Sequence, residues 1–341
     1  MGKVFLRYLA ALLALLLLTL EAGVARFIGE GYSLAEIPEA LRASSLGDVV
    51  AATSRPLRPK VSRGADQEKM PRDLQVLLEE RSADYSVYYL RPDLEIEPFL
   101  YNSRAQQPAS MIKLFVMAKV MEEVREGRMT LEEPVGLRRE DVVGGAGKLT
   151  IYDLDKTFTV RELLELMIDT SDNTATNALI TKLGMTAIND YLSKEGYFDT
   201  KLNHKMMLQK VETTQKVGKR TKKVITTQAD NTSSVKDVGR LLTRIYKHEC
   251  VGVAEDDVML EILKKQEDKI CFNAALPDWQ IAHKTGEISG LFHDGGIFYG
   301  PDGNFVLVIF CEHYAGRQIA IEDMQEMAWY FAARLTDMMG K

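Results

Sequence analysis

Ser110 and Lys113 stand three positions apart in the stretch Pro108-Ala109-Ser110-Met111-Ile112-Lys113, directly ahead of the apolar run Leu114 to Met121. Positions i and i+3 share one face of a helix, so a hydroxyl and an amine at this spacing lie in contact range. The positive end of a helix favours an alkoxide, and a desolvated lysine gives up its proton near neutral pH. The pair could therefore make a nucleophile and its base. Spacing alone is weak support, because a Ser followed three residues on by a Lys occurs about once in a chain of this length. A second copy, Ser233 with Lys236, reads as the surface chemistry of a helix start. Alone, Ser110 reads as a capping serine beside a solvated lysine. Two further triplets change that reading. Ser171-Asp172-Asn173 falls between two helical stretches, and Lys284-Thr285-Gly286 ends an apolar strand. Each triplet arises by chance in about one chain in twenty, and all three in this order in roughly one in several hundred.

The elements that must position these residues can be read from periodicity. Pro108 can open a helix but cannot sit inside one. From Met111 to Met121 only Lys113 and Lys119 are charged, and a helix apolar all round belongs in the middle of a domain. Ahead of it, Pro71 to Glu80 has helical spacing, and Tyr85 to Leu90 and Phe99 to Asn102 read as strands joined by a turn at Arg91-Pro92-Asp93. After it come Gly144-Gly145-Ala146-Gly147, read as a flexible turn, and a capping box of Thr159 with Glu162 for a helix Val160 to Thr170. Helices follow at Ala175 to Leu183, ended by Gly184, and Ala187 to Glu195, ended by Gly196. Between Phe198 and Asp230 the pattern fails. The basic cluster Lys216, Lys219, Arg220, Lys222 and Lys223 there reads as a solvated loop, with a patch for anionic cell-envelope polymer as the sharper alternative. Helices resume at Val235 to Tyr246 and Asp256 to Gln266. Strands then fall at Trp279 to Lys284, Gly296 to Tyr299 and Phe305 to Cys311, before a final helix Ala320 to Met338. Strands at both ends with helices between predict an α/β fold: a sheet layer plus an all-helical part over about 110–266, with a cleft between them as the natural place for a site.

Composition narrows the function. A chain of 341 residues with 46% hydrophobic content and a net charge of −6 shows no basic bias toward nucleic acid. Lys3 and Arg7 precede the uncharged run Tyr8 to Leu20 and the small residues Ala22-Gly23-Val24-Ala25. That pattern predicts a signal peptide over 1–25, or an uncleaved signal anchor that would hold the protein on the outer face of a membrane. Residues 26–70 carry Pro56, Pro59 and several basic residues and read as a stem, with a short amphipathic helix at Ser33 to Arg42. The globular domain is expected over 71–341, exported to the cell envelope or beyond. The three cysteines, Cys250, Cys271 and Cys311, are an odd number for an exported chain; buried thiols are the simplest reading, with a Cys250 to Cys271 disulfide as the alternative. His204, His248, His283, His293 and His313 form no zinc-binding spacing, so neither a metal nor another cofactor is expected.

On these motifs, from about Pro71 to Met338, the sequence resembles the penicillin-recognising serine hydrolases, in particular the class A β-lactamases and their relatives. The resemblance implies a β-lactamase/transpeptidase-like fold, with an antiparallel sheet flanked by helices and an all-helical subdomain. It implies that Ser110 attacks an amide or lactam carbonyl, with Lys113 accepting its proton. Ser171, helped by Lys284, would pass a proton to the leaving nitrogen. Asn173 would bind the substrate amide, and Lys284, Thr285 and Gly286 the substrate carboxylate end. The backbone N–H groups of Ser110 and Glu287 would meet the oxyanion. The partner is then a small β-lactam or a peptidoglycan peptide, and the protein a monomer.

The sequence departs from that family at two places. Class A enzymes hydrolyse the acyl-enzyme with a water activated by a loop glutamate, and Met206 occupies the matching position in Thr200 to Leu208. A thioether takes no proton, and Glu212 is the nearest substitute. Glu287 puts a carboxylate next to the carboxylate pocket; it would either repel anionic substrates or point outward toward a nearby cation. His293 and Asp294 are expected at the rim in a structural role. Three functions fit: a β-lactamase hydrolysing the β-lactam amide, a D-alanyl-D-alanine peptidase, or a slow-turnover β-lactam sensor.

Overall fold

The computed structural model describes residues 72–217 and 220–339, with side chains for all of these except 72–73, 211–224 and 334–339. The expected signal segment, the stem and the Ser33 to Arg42 helix lie outside the described residues. The chain opens with α1 (Arg72–Glu79), β1 (Asp84–Leu90) and β2 (Phe99–Tyr101). A 3₁₀ turn Ala109–Ile112 runs straight into α2 (Lys113–Arg125). A small strand pair, β3 (Pro134–Gly136) and β4 (Thr157–Thr159), leads to α3 (Val160–Asp169), α4 (Asn173–Leu183) and α5 (Met185–Lys194). Then come β5 (Lys210–Val217), β6 (Arg220–Thr227), α6 (Val235–Tyr246), α7 (Val253–Lys264) and α8 (Phe272–Ala275). The chain closes with β7 (Gln280–Ile288), β8 (Leu291–Gly300), β9 (Gly303–Glu312) and α9 (Arg317–Met339).

Five strands form one antiparallel sheet in the order β2-β1-β9-β8-β7, which leaves β7 at an edge. Strand β9 shows why its sequence is apolar without alternation. Phe305, Leu307 and Ile309 pack with α1, α8 and α9 on one face, whereas Val306, Val308 and Phe310 pack with the helical part on the other. A strand covered on both faces needs apolar residues at every position. Helix α2 obeys the same logic: residues 113–121 are all buried, so it forms the axis of the helical part. Lys119, buried on that helix, pairs with Glu122 at 2.7 Å and with Glu123. The predicted capping box is present, with Thr159 Oγ1 accepting from Glu162 N at 3.1 Å and Glu162 Oε2 accepting from Thr159 N at 2.7 Å.

Several expectations are corrected. The stretch read as a solvated loop is the hairpin β5–β6, in register from Lys210 opposite Thr227 to Val217 opposite Arg220. Its many Val, Thr and Ile residues favour extended backbone, and the lysines obscured that pattern. Ser233 is no surface residue: it is fully buried, its hydroxyl 2.9 Å from Thr200 Oγ1, and the helix cap is Ser234. Cys250, Cys271 and Cys311 are free and buried, so Cys250 and Cys271 are not bridged. Among the described residues no helix is long and apolar enough to cross a membrane.

Candidate active site

Lys113 is the first residue of α2 and is 0% exposed. Its Nζ donates to Ser171 O at 2.6 Å, Ser171 Oγ at 3.0 Å and Asn173 Oδ1 at 2.9 Å. Burial holds its pKa well below the ordinary lysine value; the nearby Lys284 pushes the same way and Asp172 opposes. A buried lysine that sheds its proton readily is a base in waiting.

Lys284 arrives from the opposite side on β7, also 0% exposed. Its Nζ donates to Ser171 Oγ at 3.0 Å and to Thr285 O at 2.7 Å. Burial lowers its pKa to about 8, against the pull of Asp268, Asp294 and Asp169. The Ser171 hydroxyl thus lies between two amines, each 3.0 Å away. A hydroxyl so placed can relay a proton between them.

Ser171 reaches this position through a strained backbone, with φ +56. Such a conformation costs about 1–3 kcal/mol and persists only where its surroundings hold it. Asp172 does the holding. Its Oδ1 caps α4 by accepting from Ala175 N at 2.8 Å, and its Oδ2 accepts from Lys148 N at 2.6 Å and Leu149 N at 2.8 Å. Asn173 N donates to Ala146 O at 3.1 Å, and Asn173 Nδ2 to Gly144 O at 3.1 Å. Of the glycines read as a flexible turn, Gly145 and Gly147 therefore lie against Asn173 and Asp172, whereas Gly144 stands in open space. Gly147 has φ +114, and a Cβ there would lie 2.3 Å from Asp172 Oδ2. The role of Asp172 carried no sequence signal beyond its place in the triplet.

Gly286 brings the sheet to the Ser110 turn. A Cβ at Gly286 would stand 3.0 Å from Pro108 O and 3.2 Å from Ser110 N. Strand β7 therefore runs against the turn that carries Ser110. Ser110 itself is half-buried. The Glu287 side chain turns outward and takes a bidentate grip from Arg317, with Nε to Oε1 at 2.5 Å and Nη2 to Oε2 at 2.8 Å. Of the two readings of Glu287, the partnered one holds. Thr285 is buried opposite Asp294.

His293 and Asp294 are not at the rim. They lie inside β8, which begins at Leu291, and both are 0% exposed. His293 Nε2 donates to Gln107 O at 3.0 Å, and its Nδ1 accepts from Cys311 N at 3.2 Å. Burial holds its pKa down to about 4, so it stays neutral and fastens the segment leading into Ser110.

Met206 docks on α4 one turn beyond Asn173. Asn177 Oδ1 accepts from Met206 N at 2.8 Å, and Asn177 Nδ2 donates to Met206 O at 3.1 Å. Beside it, Lys205 Nζ pairs with the buried Asp141 Oδ1 at 2.6 Å. Glu212 sits on β5 opposite Ile225; its side chain lies outside the described residues. Among the described residues no group of three or more His, Cys, Asp or Glu could hold a metal.

The model of the beta-lactamase enzyme family matches residues 69–329. The chain belongs to that family. Solved structures agree on the fold. A β-lactamase from Sphaerobacter thermophilus DSM 20745 is 22% identical, with 77% of this chain and 95% of that one covered at a TM-score of 0.65. PBP-A is 24% identical, with 78% and 95% covered at a TM-score of 0.68. An ancestral class A β-lactamase is 20% identical, with 77% and 98% covered at a TM-score of 0.66. No curated protein matches. The resemblance to the class A β-lactamases and their relatives thus holds at the level of family and fold, and the antiparallel sheet flanked by helices is their β-lactamase/transpeptidase-like architecture.

Proposed function

We propose that this chain is an exported serine acyl-hydrolase that opens β-lactam amides by forming an acyl-enzyme at Ser110 and that releases the acyl group slowly. The observation that carries the reading is the Ser171 hydroxyl held between Lys113 and Lys284, with Gly286 packed against the Ser110 turn. Lys113, whose pKa burial lowers, takes the Ser110 proton as Oγ attacks the carbonyl carbon. The N–H groups of Ser110 and Glu287 meet the oxyanion. As the C–N bond breaks, Ser171 gives its proton to the leaving nitrogen and recovers one from Lys113. Asn173 holds the substrate amide, and Lys284 and Thr285 the carboxylate, beside the close approach of Gly286.

Release needs a base for water, and Met206 supplies none. That observation favours a second reading, a D-alanyl-D-alanine peptidase or a slow-turnover β-lactam sensor, in which a long-lived penicilloyl adduct is expected. One structural neighbour, a mutant of PBP-A, is an acyl-enzyme complex with penicillin-G. Labelling with a fluorescent penicillin tests the reading: the protein should carry label on the peptide containing Ser110, and Ser110→Ala should carry none. An unlabelled wild-type protein contradicts the proposal.

A further inference from the structure

Between the loop that delivers Met206 and the helix α6, the chain makes the hairpin β5–β6, which the acylation chemistry does not use. Its root is fastened to the segment that leads into Ser110. Gln228 N donates to Gln209 O at 2.8 Å, and Asp230 Oδ1 accepts from Gln209 Nε2 at 2.6 Å and from Gln107 Nε2 at 3.2 Å. Just past the root, Ser233 and Gln106 exchange backbone hydrogen bonds at 2.8 and 2.9 Å. Beyond it the two strands pair only with each other among the described residues. Eight residues of extended chain in each strand reach about 25 Å. A two-stranded ribbon has no core of its own, so its residue types are free to serve a partner.

Those types are mostly basic toward the tip. Lys210, Lys216, Lys219, Arg220, Lys222 and Lys223 stand in the hairpin against one acid, Glu212, in a chain whose net charge is −6. The register sorts them by face. Lys216 and Lys223, opposite Thr221 and Thr214, share one face of the ribbon, and Lys222 and Arg220, opposite Gln215 and Val217, share the other. None of these four has an acid as its direct cross-strand partner, so the charge of the distal half is not cancelled across the ribbon. Lys219, at the turn, lies outside the described residues.

We propose that the β5–β6 ribbon is a docking arm for a phosphodiester-linked anionic polymer of the cell envelope. Basic residues on both faces suit a flexible polyanion, whose phosphates can meet the ribbon on either side; a flat anionic membrane would engage one face only. Membrane-surface binding also calls for aromatic or large apolar anchors beside the basic residues. Single-stranded nucleic acid calls for aromatic platforms on which its bases stack. Residues 210–227 contain no Phe, Tyr or Trp. The cell-envelope source rests on the reading of the chain as exported. Docking through the ribbon would hold the segment before Ser110, and the site with it, close to the polymer.

The test measures binding of the full chain to poly(glycerol phosphate) at about 50 and about 200 mM salt, beside single-stranded DNA and phosphatidylglycerol vesicles. Neutralising four phosphates should make the affinity fall by about 10²-fold over that range. Replacing Lys216, Arg220, Lys222 and Lys223 together by Gln should weaken binding at the lower salt by about 10²-fold as well. Ser110→Ala should bind as the wild type does, so failure of the acylation reading leaves the docking arm standing. No binding of the polymer by the wild-type protein overturns the proposal. So does wild-type binding that does not weaken with salt, whether or not the quadruple variant folds, and so does a folded variant that binds as tightly as wild type. Tighter binding of the DNA or the vesicles than of the polymer overturns the choice of partner. Fractionation of cells making the full chain reads export by itself: recovery from the cytosol alone overturns the cell-envelope source even where the polymer binds.

Discussion

The two loops that flank Asn173 and Asn177 on α4 are held with equal care and carry opposite chemistry. At Asn173 the chain presents a lysine, a serine and a second lysine, each engaged in hydrogen bonds, and both lysines are fully buried. One helical turn on, Asn177 grips both backbone polar atoms of Met206, and the side chain delivered is a thioether. Rigidity is therefore not what separates the two halves of the cycle. On the proposed reading, acylation is equipped with proton carriers, and deacylation has a thioether where a base would stand.

Substitutions on either side should expose that asymmetry. Lys113→Met removes the base and should slow acylation by about 10²–10⁴-fold, read as the rate of adduct formation; a rate near wild type would move the base elsewhere. Met206→Glu should shorten the acyl-enzyme lifetime by about 10²-fold, because the Asn177 clamp acts on the backbone and would present the new carboxylate in the same place. An unchanged lifetime would show that the loop lies out of reach of the ester.

The pH dependence follows from the two lysines. Lys113 acts unprotonated, so acylation by an uncharged ester should rise with pH through its depressed pKa. Lys284 acts as a cation, so acylation by the acid should decline above about 8. An ester profile that falls over the same range would exchange the assigned protonation states. The smallest effect expected is on stability: Asn177→Ala leaves the Met206 N–H without its acceptor and should cost about 1–3 kcal/mol in thermal unfolding, with acylation little changed.

Much of this was legible in the sequence, for reasons visible in particular residues. The central helix announced itself because residues 113–121 are buried on all sides and so are almost uniformly apolar. The capping box at Thr159 is local, and local chemistry reads directly. What was missed depends on partners distant in the chain. The stretch Gly144 to Gly147 reads as a flexible turn until Asp172 is seen to fill the space beside Gly147. His293 and Asp294 read as rim residues because β8 starts earlier than its apolar pattern suggests. Asn177 and Lys205 look like ordinary surface residues of a helix and a loop, and only tertiary contact reveals the clamp.

The most direct measurement is an intact-mass time course of the protein mixed with benzylpenicillin. The account predicts a penicilloyl adduct that forms on the wild-type protein, is absent from Ser110→Ala, and persists for hours. Loss of that adduct within seconds, with the drug consumed, would contradict it and reveal a deacylating base that Met206 does not provide.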